Sequence, residues 1–233
     1  MSKIPQRWLN LLALMTLALI IVGLYMAFLY AQTEARMGMV YRIFFFHLGA
    51  IIASTVAVLV VAVAGIGYLR TRSRAWDRVG EASAEIGVLF GTIGLVSGSI
   101  WARATWGAWW TWDPRLTTFL ILWFIYVAYL MLRASARDDP RVARFCAVFG
   151  LIGAIDVPIV FLSARIWRGI SPVLGQSTEA GPDYSFSLTP EMTQTLMVAI
   201  TAYILLYLYL LIQRVRLEEL RDDVLAIRRA LSR

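Results

Sequence analysis

The sequence is 233 residues long, 60% hydrophobic and only 16% charged, with a mean hydropathy of +0.69. Soluble domains of this length are usually about a quarter charged, so the composition excludes an ordinary water-soluble fold and predicts an all-α integral membrane protein. The net charge of +7 comes from arginines split among short loops, which argues against a nucleic-acid partner and for topology signals and contacts with anionic membrane lipid.

Six hydrophobic runs approach the roughly 20 residues that a ~30 Å hydrocarbon core requires. They lie near Leu9–Tyr30, Phe44–Leu69, Ala84–Trp101, Leu116–Leu132, Phe145–Ser163 and Glu191–Ile212. Only helices satisfy their own backbone groups in lipid, so residues 1–212 are expected to form one six-transmembrane-helix bundle. The first run follows Lys3 and Arg7 as a signal peptide would. Its apolar core is too long for one, so an uncleaved first helix is expected. With the N-terminus in the cytoplasm, sixteen of the 22 Lys and Arg residues fall on that side, which predicts that both termini are cytoplasmic.

The outer face then carries residues 31–43, the tryptophan-rich segment 101–117 and the loop 164–190. The Gly, Pro and Ser content of that last loop suits an irregular cover. Thr189-Pro190-Glu191 is a helix start, with a capping hydroxyl before proline. From it the sixth helix is expected to run on as a C-terminal cytoplasmic helical extension, residues 213–233. Leu217, Leu220, Val224, Ile227 and Leu231 form a heptad-like seam there, fit either for a partner or for the lipid surface.

A single cysteine, Cys146, excludes an internal disulfide, a CxxC redox pair and a CxxCH haem attachment. No Gly-rich phosphate loop is present, so the chain shows no ATP-hydrolysing part. Among residues that carry chemistry, His47 is the only histidine and falls about one turn into the second span. An ionisable group at that depth is either a ligand for a metal such as haem iron or a hydrogen-bonded strut between helices. The segment WARATWGAWWTWDPRLT holds five of the nine tryptophans, as an interfacial belt or as a platform for a planar apolar ligand. If it is helical, Trp106, Trp109 and Trp110 share one face. Asp113 suits an N-cap with Pro114 at the first helical position. Arg115 opposes the dipole of that helix and so suggests an anionic partner, with Arg103 and Arg168 as weaker candidates for the same task. Asp156 is an acid inside a span, next to Pro158, and reads as a structural hydrogen-bond donor at a kink; Glu85 is its one obvious partner for a proton path.

The string from Trp106 to Thr117, WGAWWTWDPRLT, resembles the WGxWWxWDxRLT (WWD) signature of the haem-handling proteins of cytochrome c-type biogenesis. Trp101, five residues upstream, fits the same pattern, as does His47 in its Tyr41-Arg42-Ile43 context. Six spans and this length match the haem exporter protein C (CcmC) branch over essentially the whole chain. The resemblance implies a multi-pass protein of the bacterial inner membrane with no bond-making chemistry of its own. It would bind haem b at the outer face and present it to a periplasmic haem chaperone. Its implied partners are the membrane and ATPase subunits of an ABC transporter and a small single-span membrane subunit. Residue by residue, Trp101, Trp106, Trp109, Trp110 and Trp112 would hold the macrocycle, while Asp113 and Arg115 shape or contact it. His47 would be an axial iron ligand, and Arg103 and Arg168 would contact propionates.

Three departures stand out from the family pattern. Ser171 occupies the position of a second histidine, so bis-histidine ligation within this chain is impossible, and haem is left five-coordinate or with water, Met192, Tyr184 or a partner's side chain as the sixth ligand. Gly49 stands where proline is expected, and Asp156 where asparagine is common. Two rival functions have weaker sequence support. A transporter subunit moving haem or another solute through the bundle would need polar groups at mid-depth, and only Asp156 and Glu85 offer themselves. A haem–thioether synthetase related through the same motif would need more than one histidine and more spans.

Overall fold

A computed structural model describes residues 5–34, 37–137, 139–166 and 188–232. Six helices make up the described fold: α1 (Gln6–Tyr25), α2 (Ile43–Thr71), α3 (Arg74–Trp106), α4 (Pro114–Ser135), α5 (Pro140–Ile166) and α6 (Pro190–Leu231). A π-helical turn, Met26–Tyr30, closes α1, and a 3-10 turn, Met39–Arg42, opens α2. All six helices are long and apolar enough to cross a membrane, as the hydropathy predicts.

Local chemistry fixes where each helix stops. At the end of α2, Arg72 adopts a left-handed conformation (φ 57°, ψ 18°), and its N–H donates to the Tyr68 carbonyl at 2.8 Å. Ser73 then N-caps α3, accepting from the Ala75 N–H at 3.3 Å. Gly107 ends α3 with φ 76°, a left-handed cap that favours glycine. Asp113 and Thr189 N-cap α4 and α6 ahead of Pro114 and Pro190, as their sequences predict. Pro158 lies inside α5, which continues through it as one helix.

Helices consecutive in the chain run antiparallel, and the α2–α3 seam is the tightest. Gly87, Gly91, Gly94 and Gly98 form a small-residue stripe on α3. A Cβ on Gly87 would lie 3.1 Å from Ala57, one on Gly91 3.2 Å from Ser54, one on Gly94 2.5 Å from Ile51, and one on Gly98 2.8 Å from His47. Without an aqueous driving force between helices, such close approach supplies the packing energy. Ser54 and Ser83 cross-link the same seam by donating to the carbonyls of Gly87 and Ala57, both at 2.9 Å. Gly49 has a local explanation too: its missing Cβ makes room for the Tyr203 ring on α6, 2.5 Å from where that atom would be.

The end of the bundle that carries the N-terminus is closed by ions. Asp77, Glu81 and Glu85 recur every four residues on α3, one face of a helix. Arg133 on α4 meets Asp77 at 2.5 Å and Glu81 at 3.1 Å, and Arg137 meets Glu81 at 2.6 Å. From α6, Arg214 reaches Glu85 at 2.5 Å and Glu218 at 2.5 Å. Farther along α6, Asp222 takes Arg74 and Arg78, both at 2.9 Å. Helix α6 is therefore continuous for 42 residues, about 60 Å at 1.5 Å per residue, and its acidic face lies on α3. The apolar seam points elsewhere: Leu217, Leu220, Val224, Ile227 and Leu231 are all exposed.

Candidate functional site

At the opposite end, the first turns of α2 and the last turns of α3 build an aromatic wall. Tyr41 stacks on Phe44 at 5.5 Å and meets Phe45 edge-on at 5.2 Å. All three rings are buried. Trp101 is buried against them, its ring 5.7 Å from Phe44 and 6.0 Å from the His47 imidazole. Trp106 extends the wall, 6.3 Å from Trp101.

His47 sits in a cradle that α3 provides. Its Nδ1 is 3.0 Å from the Gly94 carbonyl oxygen and 3.2 Å from the Ser97 hydroxyl. A carbonyl oxygen can only accept, so Nδ1 carries the proton and donates it. The neutral ring then holds its lone pair on Nε2. A metal-ligating histidine uses the same arrangement, one nitrogen tied to a backbone carbonyl and the other left to ligate. Gly98 completes the cradle, because a Cβ there would lie 2.8 Å from Cε1 and 3.3 Å from Nδ1.

The tryptophan segment differs from the helical expectation. Left-handed Gly107 stops α3 at Trp106, and residues 108–113 are irregular until α4 starts at Pro114. Trp106, Trp109 and Trp110 therefore share no helix face. Trp109 and Trp112 project instead from a turn, 61% and 77% exposed, with Trp110 edge-on to Trp112 at 6.0 Å. The indole N–H groups of Trp101, Trp106 and Trp110 and the hydroxyls of Thr111 and Thr117 are buried, with no partner among the described residues. Unsatisfied buried donors are costly. A surface apolar by area yet lined with unmet donors suits a planar apolar molecule with anionic edges.

The charged candidates divide. Asp113 is buried, and its Oδ1 accepts the Arg115 N–H at 2.9 Å, so it shapes the segment as an N-cap. Arg115 follows Pro114 in the first turn of α4, directly after the tryptophan segment. Arg103 turns back to cap its own helix, donating to the Gly107 carbonyl. Met192 is buried in the same cluster as Trp101 and Tyr41. Arg168, Ser171 and Tyr184 lie outside the described residues.

The chain as a whole also has clear relatives. Residues 1–229 match the family model described as "Heme exporter protein C". The chain belongs to the heme exporter protein C family. It is 33% identical to the family's protein from Bradyrhizobium diazoefficiens over 95% of this chain and 82% of that one. For the Haemophilus influenzae protein the identity is 30%, over 91% of this chain and 85% of the relative. For the Escherichia coli K12 protein it is 32%, over 88% and 81%. Membership in the heme exporter protein C family confirms the resemblance carried by the tryptophan string, and with the six apolar helices it makes this a multi-pass membrane protein.

Within this heme exporter protein C family member, sequence reasoning missed the partners of His47. Gly94, Ser97 and Gly98 fix the tautomer and seat the ring, yet each reads in isolation as a small residue in a span. Their signal was the spacing of Gly87, Gly91, Gly94 and Gly98, a stripe on one face of α3. Also missed was the ion network at the far end, whose trace is the four-residue repeat of Asp77, Glu81 and Glu85.

Proposed function

We propose that this chain binds haem b at the periplasmic face of the bacterial inner membrane and presents it to a periplasmic haem chaperone during cytochrome c maturation. It acts there beside the membrane and ATPase subunits of an ABC transporter and a small single-span subunit. It is a handling component of the membrane and performs no catalysis. The observation that carries the reading is the His47 tautomer: with Nδ1 donating to Gly94, Nε2 is left to ligate iron. Trp101 backs the imidazole and Trp106 extends that wall, while the exposed rings of Trp109 and Trp112 lie where a guest can be received and surrendered. Arg115 supplies a cation for a propionate. The ring is gripped by side chains that also reach solvent, which suits a molecule that must be passed on. Orientation with both termini in the cytoplasm follows from the arginine bias and puts this site outside.

The test is the absorption and resonance Raman spectrum of the purified, haem-loaded protein in ferric and ferrous forms. His47→Ala should lose the axial-ligand signature and most of the haem, with the fold retained. An unchanged spectrum and occupancy in that variant sinks the proposal. Movement of a solute through the bundle has less support, because Glu85 is neutralised by Arg214 in the ion network at the other end.

A further inference from the structure

The end of the bundle opposite the tryptophans contains a cavity of about 400 Å³ between the last turns of α2 and α4 and the first turns of α3 and α5. Sites of that size fall in the range that takes small ligands. Arg72, Arg74, Arg133, Arg137 and Arg144 line it, against two acids among the described residues, Asp77 and Asp139. Asp77 is paired with Arg133, whereas Asp139, whose Oδ1 accepts the Arg141 N–H at 2.7 Å as the cap of α5, keeps its charge and offsets one of the lining arginines. Arg74 and Arg137 are likewise engaged, with Asp222 and Glu81.

Positive charge remains after these pairs are made. Arg72 and Arg144 are exposed and form no ion pair among the described residues, and the Arg72 guanidinium rests 5.9 Å over the Tyr68 ring at the cavity wall. Arg133 is only 3% exposed, and its Nε and Nη2 serve Glu81 and Asp77, but Nη1 is buried with no acceptor among the described residues. A buried guanidinium nitrogen without an acceptor is a strong and unmet demand for an anion.

We infer that this cavity is a binding site for a phosphate-bearing anion, with Arg72, Arg133 and Arg144 as its ligating cations. Two sources share that chemistry, the headgroup of an anionic phospholipid and free phosphate. The lipid is favoured by the apolar part of the wall, Tyr68, Pro140 and Ala143, and by the position of the cavity at the ends of membrane-spanning helices, where basic pockets collect anionic headgroups. The inference is independent of the haem reading, since no residue is shared.

The experiment is native mass spectrometry of the full chain in neutral detergent, titrated with phosphatidylglycerol, with phosphatidylcholine, and with phosphatidylglycerol in the presence of millimolar inorganic phosphate. The wild type should retain one phosphatidylglycerol in preference to phosphatidylcholine. The double variant Arg72→Ala/Arg144→Ala, which removes exposed side chains only, should bind it about thirtyfold more weakly, the contribution of two arginines at a headgroup layer. Arg133→Lys, which keeps the charge but removes Nη1, should weaken it as well, with the melting temperature of each variant checking the fold. Loss of the retained lipid on adding phosphate would identify free phosphate as a competent occupant of the same site. No competition would identify the lipid. Equal retention of the two lipids by the wild type, or unchanged retention by the double variant, overturns the inference.

Discussion

Gly98→Ala isolates the cradle of His47 from the tryptophan surface. The added Cβ would stand 2.8 Å from Cε1 and 3.3 Å from Nδ1, where ordinary contacts begin at 3.4 Å. The imidazole must retreat by about half an ångström or more, because well-packed interiors absorb such insertions only by shifting side chains. Its Nδ1 bond to Gly94, now 3.0 Å, would stretch toward the limit of a hydrogen bond. Losing a partner that orients a metal ligand typically costs 10–100-fold in affinity, so haem affinity should fall by about that factor while the fold persists. Haem titration followed by absorbance on the purified variant measures it. Gly91→Ala is the control: its Cβ would be crowded on the same helix face, though less tightly, 3.2 Å from Ser54 and Trp123, and would not touch His47. Wild-type affinity and spectrum in Gly98→Ala, or an equal loss in Gly91→Ala, would refute the cradle.

Other variants separate stability from binding. Trp101→Ala should lower stability by about 3–5 kcal/mol, since it empties a buried aromatic site, whereas Trp112→Ala should leave thermal stability within about 0.5 kcal/mol and reduce haem retention. Ser97→Ala should weaken haem binding less than Gly98→Ala, because the Gly94 carbonyl still fixes the tautomer; equal losses in the same titration would assign that role to the hydroxyl. Arg133→Met should cost about 3–5 kcal/mol by leaving Asp77 buried without its ion-pair partner, while Glu81 keeps Arg137, read as a drop in melting temperature that Asp77→Asn partly restores. In the last turns of α6, hydrogen bonds from Arg74 hold the Asp222 carboxyl below the usual carboxylate range. A depressed carboxylate stabilises above its ordinary pKa and stops doing so as pH falls through the shifted value. Acidification should therefore loosen residues 213–233, seen as faster limited proteolysis, by no more than about 1 kcal/mol for an ion pair whose arginine is at the surface.

The spans were legible because hydropathy over twenty residues is a strong signal, and the caps at Asp113 and Thr189 because local side-chain chemistry decides them. The conformation of the tryptophan segment was not. Its i, i+3, i+4 spacing fits a helix, but one left-handed glycine, Gly107, overrides the pattern, and that choice is made by the turn into α4. The exposed seam of α6 was legible as a stripe, but its opposite face, Glu218 and Asp222, proved to be the one that meets the bundle. Neither acid has meaning until α3 brings Arg74, Arg78 and Glu85 into register. His47 was recognisable as unusual from its depth alone. Which of its nitrogens is available depends on Gly94, a contact between helices that no local spacing reveals.

Helix α3 ties these features together. Its glycines set the register with α2 and so decide where the imidazole sits; its acids set the register with α4 and α6 at the other end. Between Gly98 and Glu85 the helix is a ruler that fixes the distance from the proposed haem site to the charged end. The five tryptophans divide accordingly. Trp101 and Trp106 belong to the ruler and are held by packing, so they define the back of the site. Trp109 and Trp112 lie beyond the Gly107 break, on the irregular segment that ends at the Asp113 cap, and their rings are exposed. A handler of haem needs both properties, a fixed ligand and wall for recognition and a looser aromatic edge for release. If that division holds, Gly107→Ala, which forces a side chain into a left-handed position at φ 76°, should disturb release more than capture. Stopped-flow mixing of the haem-loaded protein with an apo-haem acceptor would measure this, the off-rate changing by more than the on-rate. A variant whose two rates changed equally would place the exposed tryptophans in the rigid wall and remove the argument for a separate releasing edge.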